Sequence, residues 1–212
     1  EPLLSVRDLR VDYVTDRGRV RAVDGVSFDL ERGEILGIAG ESGCGKSTMA
    51  QALLRILPPP AVISGGSARF EGRDLLALDE NELRALRWKR ISMVFQSAMD
   101  ALNPVIPLGE QITDTLHAHR DVTARAARDR AAELLEMVGI PAGLIDAYAH
   151  QLSGGMRQRL GIAIALALEP ALVVLDEPTT ALDVIVEREI LEQIRAMQRR
   201  LGFAVLFITH DL

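Results

Sequence analysis

Three groups of residues in this sequence have the types and spacing to do chemistry. The first is Gly40-Glu41-Ser42-Gly43-Cys44-Gly45-Lys46-Ser47, which fills every constrained position of G-x-x-x-x-G-K-[ST]. Glycines in such a loop let the backbone wrap a polyphosphate closely and aim successive N–H groups inward. Lys46 is spaced to reach the β- and γ-phosphates, and the Ser47 hydroxyl to bind Mg2+. The alternative is a glycine-rich turn that only caps a helix. With glycine at about 7% of residues, a chance match in a chain of this size is on the order of one in a hundred. Cys44 holds an unconstrained slot and reads as a small loop residue rather than a redox centre.

The second group is Asp176-Glu177, two carboxylates closing the apolar run Leu172-Val173-Val174-Leu175. A buried strand delivers such a pair to its C-terminal tip, the edge at which open α/β sheets bind ligands. Asp176 would hold Mg2+ and Glu177 would face an attacking water as general base. A solvated acidic pair after a strand is the plainer reading of these two residues alone. The third group is Ser153-Gly154-Gly155, where Ser153 is a good N-cap for a long helix and the helix start can bind an anion. Alone it is only a capped helix. Beside a complete phosphate loop, it points to a second phosphate-binding surface on one chain.

The elements around these groups are those the chemistry needs. Ile35 to Ala39 is a continuous apolar run, as in a strand buried on both faces, and it feeds the phosphate loop. Lys46 to Leu57 follows as a helix stopped by Pro58-Pro59-Pro60. Before them, Leu3 to Val6, Leu9 to Tyr13 and Val20 to Leu30 read as strands, with a turn at Asp16-Arg17-Gly18. Further strands are Ile91 to Phe95, Leu172 to Leu175 and Val205 to Thr209. Helices are expected within Leu108 to Met137, over Gly154 to Leu168 and over Leu182 to Arg200. Alternating strands and helices at both ends imply a mostly parallel sheet, with a helical lobe inserted between them.

Bulk properties narrow the class. The chain has 212 residues, is 48% hydrophobic and 25% charged, and can bury a substantial core. A net charge of −6 gives no support to a nucleic-acid partner. One cysteine excludes an internal disulfide and accords with a reducing compartment. No basic-then-apolar leader opens the chain, and the longest apolar run, Leu160 to Leu168, is far too short to span a bilayer. A membrane role, if there is one, is expected to be that of a peripheral subunit.

Leu152-Ser153-Gly154-Gly155-Met156-Arg157-Gln158-Arg159 resembles the signature motif of the ATP-binding cassette (ABC) ATPases, and the other motifs fall in that family's order. The resemblance implies an α/β P-loop NTPase with a mostly parallel central sheet, an N-terminal antiparallel β subdomain and an inserted helical subdomain. It implies a body of residues 1–96 and 160–212 and a helical signature subdomain of residues 97–159. It also implies ATP and Mg2+ as cofactors. Tyr13 then stands as the adenine-stacking aromatic, and Val23, Ser42, Gly43, Cys44, Gly45, Lys46, Ser47 and Thr48 complete that nucleotide site. Ser153, Gly154 and Gly155 grip the ATP of an opposite subunit, and Asp183 is the D-loop aspartate. Gln96 resembles the Q-loop glutamine and His210 the switch histidine, acting with Glu177 in hydrolysis. Ser47, Gln96 and Asp176 hold the metal. Each of Tyr13, Gln96, Asp183 and His210 has a plainer reading alone, and their order around the strong motifs lifts them. His117, His119 and His150 read as solvated.

Val94-Phe95-Gln96 with Ala101-Leu102-Asn103-Pro104-Val105, and Tyr148-Ala149-His150-Gln151 before the signature, resemble the ATPases of oligopeptide, dipeptide and nickel importers. Ser97-Ala98 and Trp88-Lys89 depart from that pattern, which keeps oligosaccharide or nickel import as alternatives. The resemblance implies a head-to-tail dimer with a second ABC ATPase subunit, transmembrane permease subunits and, indirectly, a solute-binding protein. The expected location is the cytoplasmic face of the cell membrane. Met99, Leu102 and Val105 form a candidate apolar surface for a membrane subunit. A soluble ABC ATPase acting on DNA or ribosomes is the competing class, but no heptad insertion or second cassette is present. A regulatory domain that binds without hydrolysing is disfavoured by Glu177. The family usually continues past its switch histidine, so more chain is expected after Leu212.

Overall fold

The structure is a computed structural model that describes residues 1–95, 102–179 and 182–210. Its strands form two sheets. The first is antiparallel, in the order β2-β1-β4-β5, from β1 (Leu4–Thr15), β2 (Gly18–Leu30), β4 (Ala61–Phe70) and β5 (Arg73–Asp74). The second is parallel, in the order β3-β8-β7-β6, from β3 (Ile35–Ala39), β6 (Ile91–Val94), β7 (Leu172–Asp176) and β8 (Ala204–Thr209). Parallel neighbours need long crossovers, and helices supply them. These are α1 (Lys46–Leu53), α2 (Glu80–Leu86), α3 (Leu108–His119), α4 (Ala124–Met137), α5 (Gly154–Leu166) and α6 (Val184–Leu201).

Two apolar cores hold these layers. One packs α1 between the antiparallel sheet and one face of the parallel sheet, with Leu4, Val6, Phe70, Met49, Leu53, Val174 and Leu206 buried in it. The other gathers α3, α4 and α5 with the opposite face of the parallel sheet, through Ile112, Leu135, Leu160, Val173 and Val205. Sheet faces sort by the strand's period of two: Val174 and Leu206 enter one core, Val173 and Val205 the other. β7 is buried at all five positions, which explains its unbroken apolar run.

The sequence reading needs correction at four places. β3 is not buried on both faces: its residues alternate between exposed and half-buried. It lies at the end of the sheet order, with β8 as its neighbour. α1 ends at Leu53, before the prolines, because Arg55 takes a left-handed backbone conformation with φ 50°. The two expected N-terminal strands are one strand, β1, whose register shifts between Val6 and Leu9 where Asp8 has φ 49°. Leu102 is buried in the helical core at 9% exposure, whereas Val105 is 77% exposed. Leu102 therefore offers no surface to a membrane subunit, and Met99 lies outside the described residues.

Candidate active site

β3 runs into the phosphate loop and α1 leaves it, so the loop is fixed at both ends. Gly45 is the helix N-cap in a left-handed conformation, φ 95°, without a side-chain cap. A Cβ there would stand 2.2 Å from the Ala22 carbonyl oxygen and 3.5 Å from Val23 Cγ2. Only glycine lets the loop pass so close to β2, and the first N–H groups of α1 are left for an anion. Lys46 is buried at 7% exposure, and its ammonium donates to the carbonyls of Gly40 at 2.6 Å and Glu41 at 2.8 Å. Its charge is thus held inside the loop by the backbone that forms it. Ser42, Gly43 and Cys44 are exposed along the same loop, with Cys44 Sγ 3.7 Å from the ammonium.

Asp176 ends β7 beside that loop. The Ser47 hydroxyl donates to Asp176 Oδ1 at 2.8 Å, joining residues from distant parts of the chain. Burial, at 3% exposure, raises the Asp176 pKa above the ordinary carboxylate value. The bond from Ser47 and the charge of Lys46 oppose that shift, and the neighbouring Glu177 charge adds to it. Glu177 has φ 47°, a region L-residues rarely adopt, and its N–H bonds the Ile208 carbonyl at 3.0 Å. This turn at the strand tip separates the directions of Asp176 and Glu177. His210 follows β8, and its Nδ1 lies 3.2 Å from Glu177 Oε2.

The described residues therefore bring together Lys46, Ser47, Asp176, Glu177 and His210. Tyr13 on β1 joins them through its hydroxyl, 3.4 Å from Thr48 Oγ1, and Val23 lies buried against the loop. Gln96 lies outside the described residues. Ser153 caps α5 by accepting from Met156 N–H at 3.3 Å. Among the described residues, no hydrogen bond or ion pair joins Ser153, Gly154 or Gly155 to the phosphate loop. Asp183 caps α6, accepting from Ile185 and Val186 N–H at 3.1 and 3.0 Å. His117, His119 and His150 stand away from the cluster, His150 stacked on Tyr148. Sequence reasoning passed over Thr179 and Glu187, whose side chains meet at 2.6 Å across the start of α6. No motif spacing signals that pair.

Hard oxygen donors at Ser47 and Asp176, next to a buried ammonium and a helix N-terminus, suit a divalent cation carried with a polyphosphate. Among the described residues no group of three or more His, Cys, Asp or Glu could hold a metal by itself. A cation here takes its remaining ligands from phosphate oxygens and water.

The family described as ABC transporter matches residues 23–180. The chain is 47% identical over 213 residues to the oligopeptide transport ATP-binding protein OppD of Bacillus subtilis, covering 99% of this chain and 60% of that protein. It is 46% identical to the dipeptide transport ATP-binding protein DppD of the same organism, covering 100% of this chain and 64% of that protein. The chain thus spans about three fifths of the length of these relatives. Among solved structures, it superposes on the dimeric ATP-binding cassette MJ0796 bound to ADP and Pi with a TM-score of 0.86. That likeness is 28% identical and covers 98% of this chain and 88% of the other. The cbiO1 protein of Clostridium perfringens, part of the transporter complex cbiONQ, matches with a TM-score of 0.82 at 30% identity. That match covers 100% of this chain and 79% of the other.

Proposed function

Because the chain belongs to the ABC transporter family, we propose that it is the ATP-binding and ATP-hydrolysing motor of an importer for oligopeptides or dipeptides. The observation that carries this reading is the meeting of Ser47, Asp176, Glu177 and His210 beside a complete phosphate loop. The oligopeptide and dipeptide relatives favour peptides over oligosaccharides or nickel as the cargo.

The chain's own residues divide the work as follows. Backbone N–H groups of the loop and of α1 bind the β- and γ-phosphates. Lys46 exchanges its two carbonyl partners for phosphate oxygens, replacing neutral acceptors with charged ones. Tyr13 stacks on the base, with Val23 behind the loop. Ser47 and Asp176, with Gln96, would hold Mg2+, which would offset charge on the phosphates. Glu177 accepts the proton of the attacking water, and His210 fixes the carboxylate that accepts it. The strained turn at Glu177 keeps the base rigid, so less reorganisation is needed at the moment of reaction.

Each such site is half of the machine. Ser153, Gly154 and Gly155 lie on a separate surface and complete the site of a second cassette in a head-to-tail dimer. Asp183 lies at the seam. The helical subdomain, read from the sequence as residues 97–159, carries the signature. Permease subunits couple to the cassette at the cytoplasmic face of the membrane, with a solute-binding protein on the far side. Among the described residues no helix is long and apolar enough to cross a bilayer. The chain joins the membrane complex as a peripheral subunit. Reconstitution with its membrane subunits in sealed vesicles tests the whole reading. Peptide should move inward only while ATP is consumed. Transport of sugars or nickel without peptide would overturn the cargo assignment and leave the motor standing.

A further inference from the structure

The segment that carries Glu177 is fastened to the helix that packs on the signature glycines. Thr179, two residues beyond the base, is buried at 7% exposure, and its hydroxyl donates to Glu187 Oε1 at 2.6 Å. Glu187 sits in the first turn of α6, a turn already ordered by the Asp183 cap and by the Glu187 N–H bond to the Asp183 carbonyl at 2.9 Å. A carboxylate there is favoured by the helix dipole, and its bond from Thr179 is charge-assisted.

The neighbouring face of α6 grips α5. A Cβ built on Gly155 would come within 2.6 Å of Val186 Cγ1, so the signature glycine is what lets the two helices close. One turn further on, Glu189 pairs with Arg159 of α5 at 2.9 Å. Beyond that, Gln193 abuts Gly139, where an added Cβ would lie 2.7 Å from its Nε2. Positions 186, 189 and 193 share one helical face, and Ile190 beside them is fully buried. α6 is therefore a rigid bar with Thr179 tied to its start and the signature end of α5 packed along its side.

We infer that Thr179 and Glu187 are a positioning pair that links the base of one nucleotide site to the same chain's signature surface. This rests on the reading of Glu177 as base and of Ser153 to Gly155 as the grip on the opposite cassette's nucleotide. In a head-to-tail dimer, the arrangement makes each chain a connector between two ATP molecules. Ordering of the segment after Glu177 around one γ-phosphate sets α6, and α6 sets the signature helix that contacts the other. The pair acts through position, not by touching substrate, so its loss should spare ATP binding and impair turnover and cooperativity.

The test compares Thr179→Val and Glu187→Ala with the conservative variants Thr179→Ser and Glu187→Gln, which keep a donor and an acceptor. The first two should lower kcat roughly tenfold, the effect of losing one charge-assisted hydrogen bond. KM for ATP should stay within about twofold and the Hill coefficient for ATP should fall toward one. Thr179→Ser should stay near wild type in all three, and Glu187→Gln, which keeps an acceptor but not its charge, should fall between wild type and Glu187→Ala. Glu187→Asp serves where a larger change unfolds the chain, because it keeps the charge at the helix start and withdraws it from Thr179. Unchanged kcat and Hill coefficient in Glu187→Asp and Glu187→Ala would overturn the inference. So would a loss that Thr179→Ser shares in full. A wild-type chain that does not hydrolyse ATP, or one whose hydrolysis survives Glu177→Gln intact, would instead overturn the proposed function itself.

Discussion

On the proposed reading Glu177 and Lys46 carry opposite halves of the reaction, and their variants should separate cleanly. Glu177→Gln should keep ATP affinity within about threefold and lower kcat by roughly a hundredfold or more, since an amide cannot take the water's proton. Lys46→Ala should instead weaken nucleotide binding, because the phosphates lose a buried counter-charge. Steady-state hydrolysis and nucleotide titration read both, and full turnover by Glu177→Gln would remove it from the role of base. Asp176 adds a stability consequence. Its raised pKa means the folded chain holds that proton more tightly than the unfolded chain does. The stabilisation is complete below the ordinary carboxylate value and is lost as pH rises through the raised one. At neutral pH the buried charge is therefore a cost, one that the proposed metal would offset. Asp176→Asn should raise the unfolding free energy of the nucleotide-free chain by about 0.5–2 kcal/mol, seen as a higher urea midpoint, while abolishing Mg2+-dependent hydrolysis. An unchanged or lower midpoint would contradict the burial argument. At this scale the sequence was most legible where spacing is local, as in Gly40 to Ser47. The contact of Ser47 with Asp176 could be expected only from the place of Asp176 at the tip of β7 and of Ser47 at the start of the helix after the loop. The contact of Thr179 with Glu187 arises from how a loop folds back on a helix, and no local pattern encodes it.

The elements show why some boundaries were readable and others not. β7 was found because a strand buried on both faces must be apolar throughout. β3 looks the same in sequence, yet among the described residues it pairs with β8 alone and its positions alternate between exposed and half-buried. Apolar runs report what a strand can bury, not what covers it. The end of α1 was misplaced because Arg55 stops it through a left-handed backbone, which no residue type announces as proline does. The phosphate loop's own glycines differ in a testable way. Gly43 has φ 82° and open space around a would-be Cβ, whereas Gly45 has φ 95° and the Ala22 carbonyl at 2.2 Å. Gly43→Ala should cost about 1–3 kcal/mol from backbone conformation alone. Gly45→Ala should cost more, since β2 or α1 must also shift. Urea denaturation of the two variants checks the order, and equal losses would show that the contact with β2 yields freely.

At the scale of the molecule, one chain carries a phosphate loop and a signature surface that the described residues do not connect by any hydrogen bond or ion pair. Two copies facing head to tail would complete two sites at once, and a single copy would complete none. Hydrolysis should then rise more than linearly with chain concentration while self-association is weak. The most direct measurement is an ATP-dependent cross-link between Ser42→Cys and Gly154→Cys, made in a Glu177→Gln background with Cys44→Ser to remove the native thiol. With Mg2+ and ATP, the account predicts a disulfide between chains and a covalent dimer, with little of either in ADP or without nucleotide. A chain that remains monomeric with ATP, forms no such cross-link, and in its wild-type form hydrolyses ATP in strict proportion to its concentration would contradict the shared-site account.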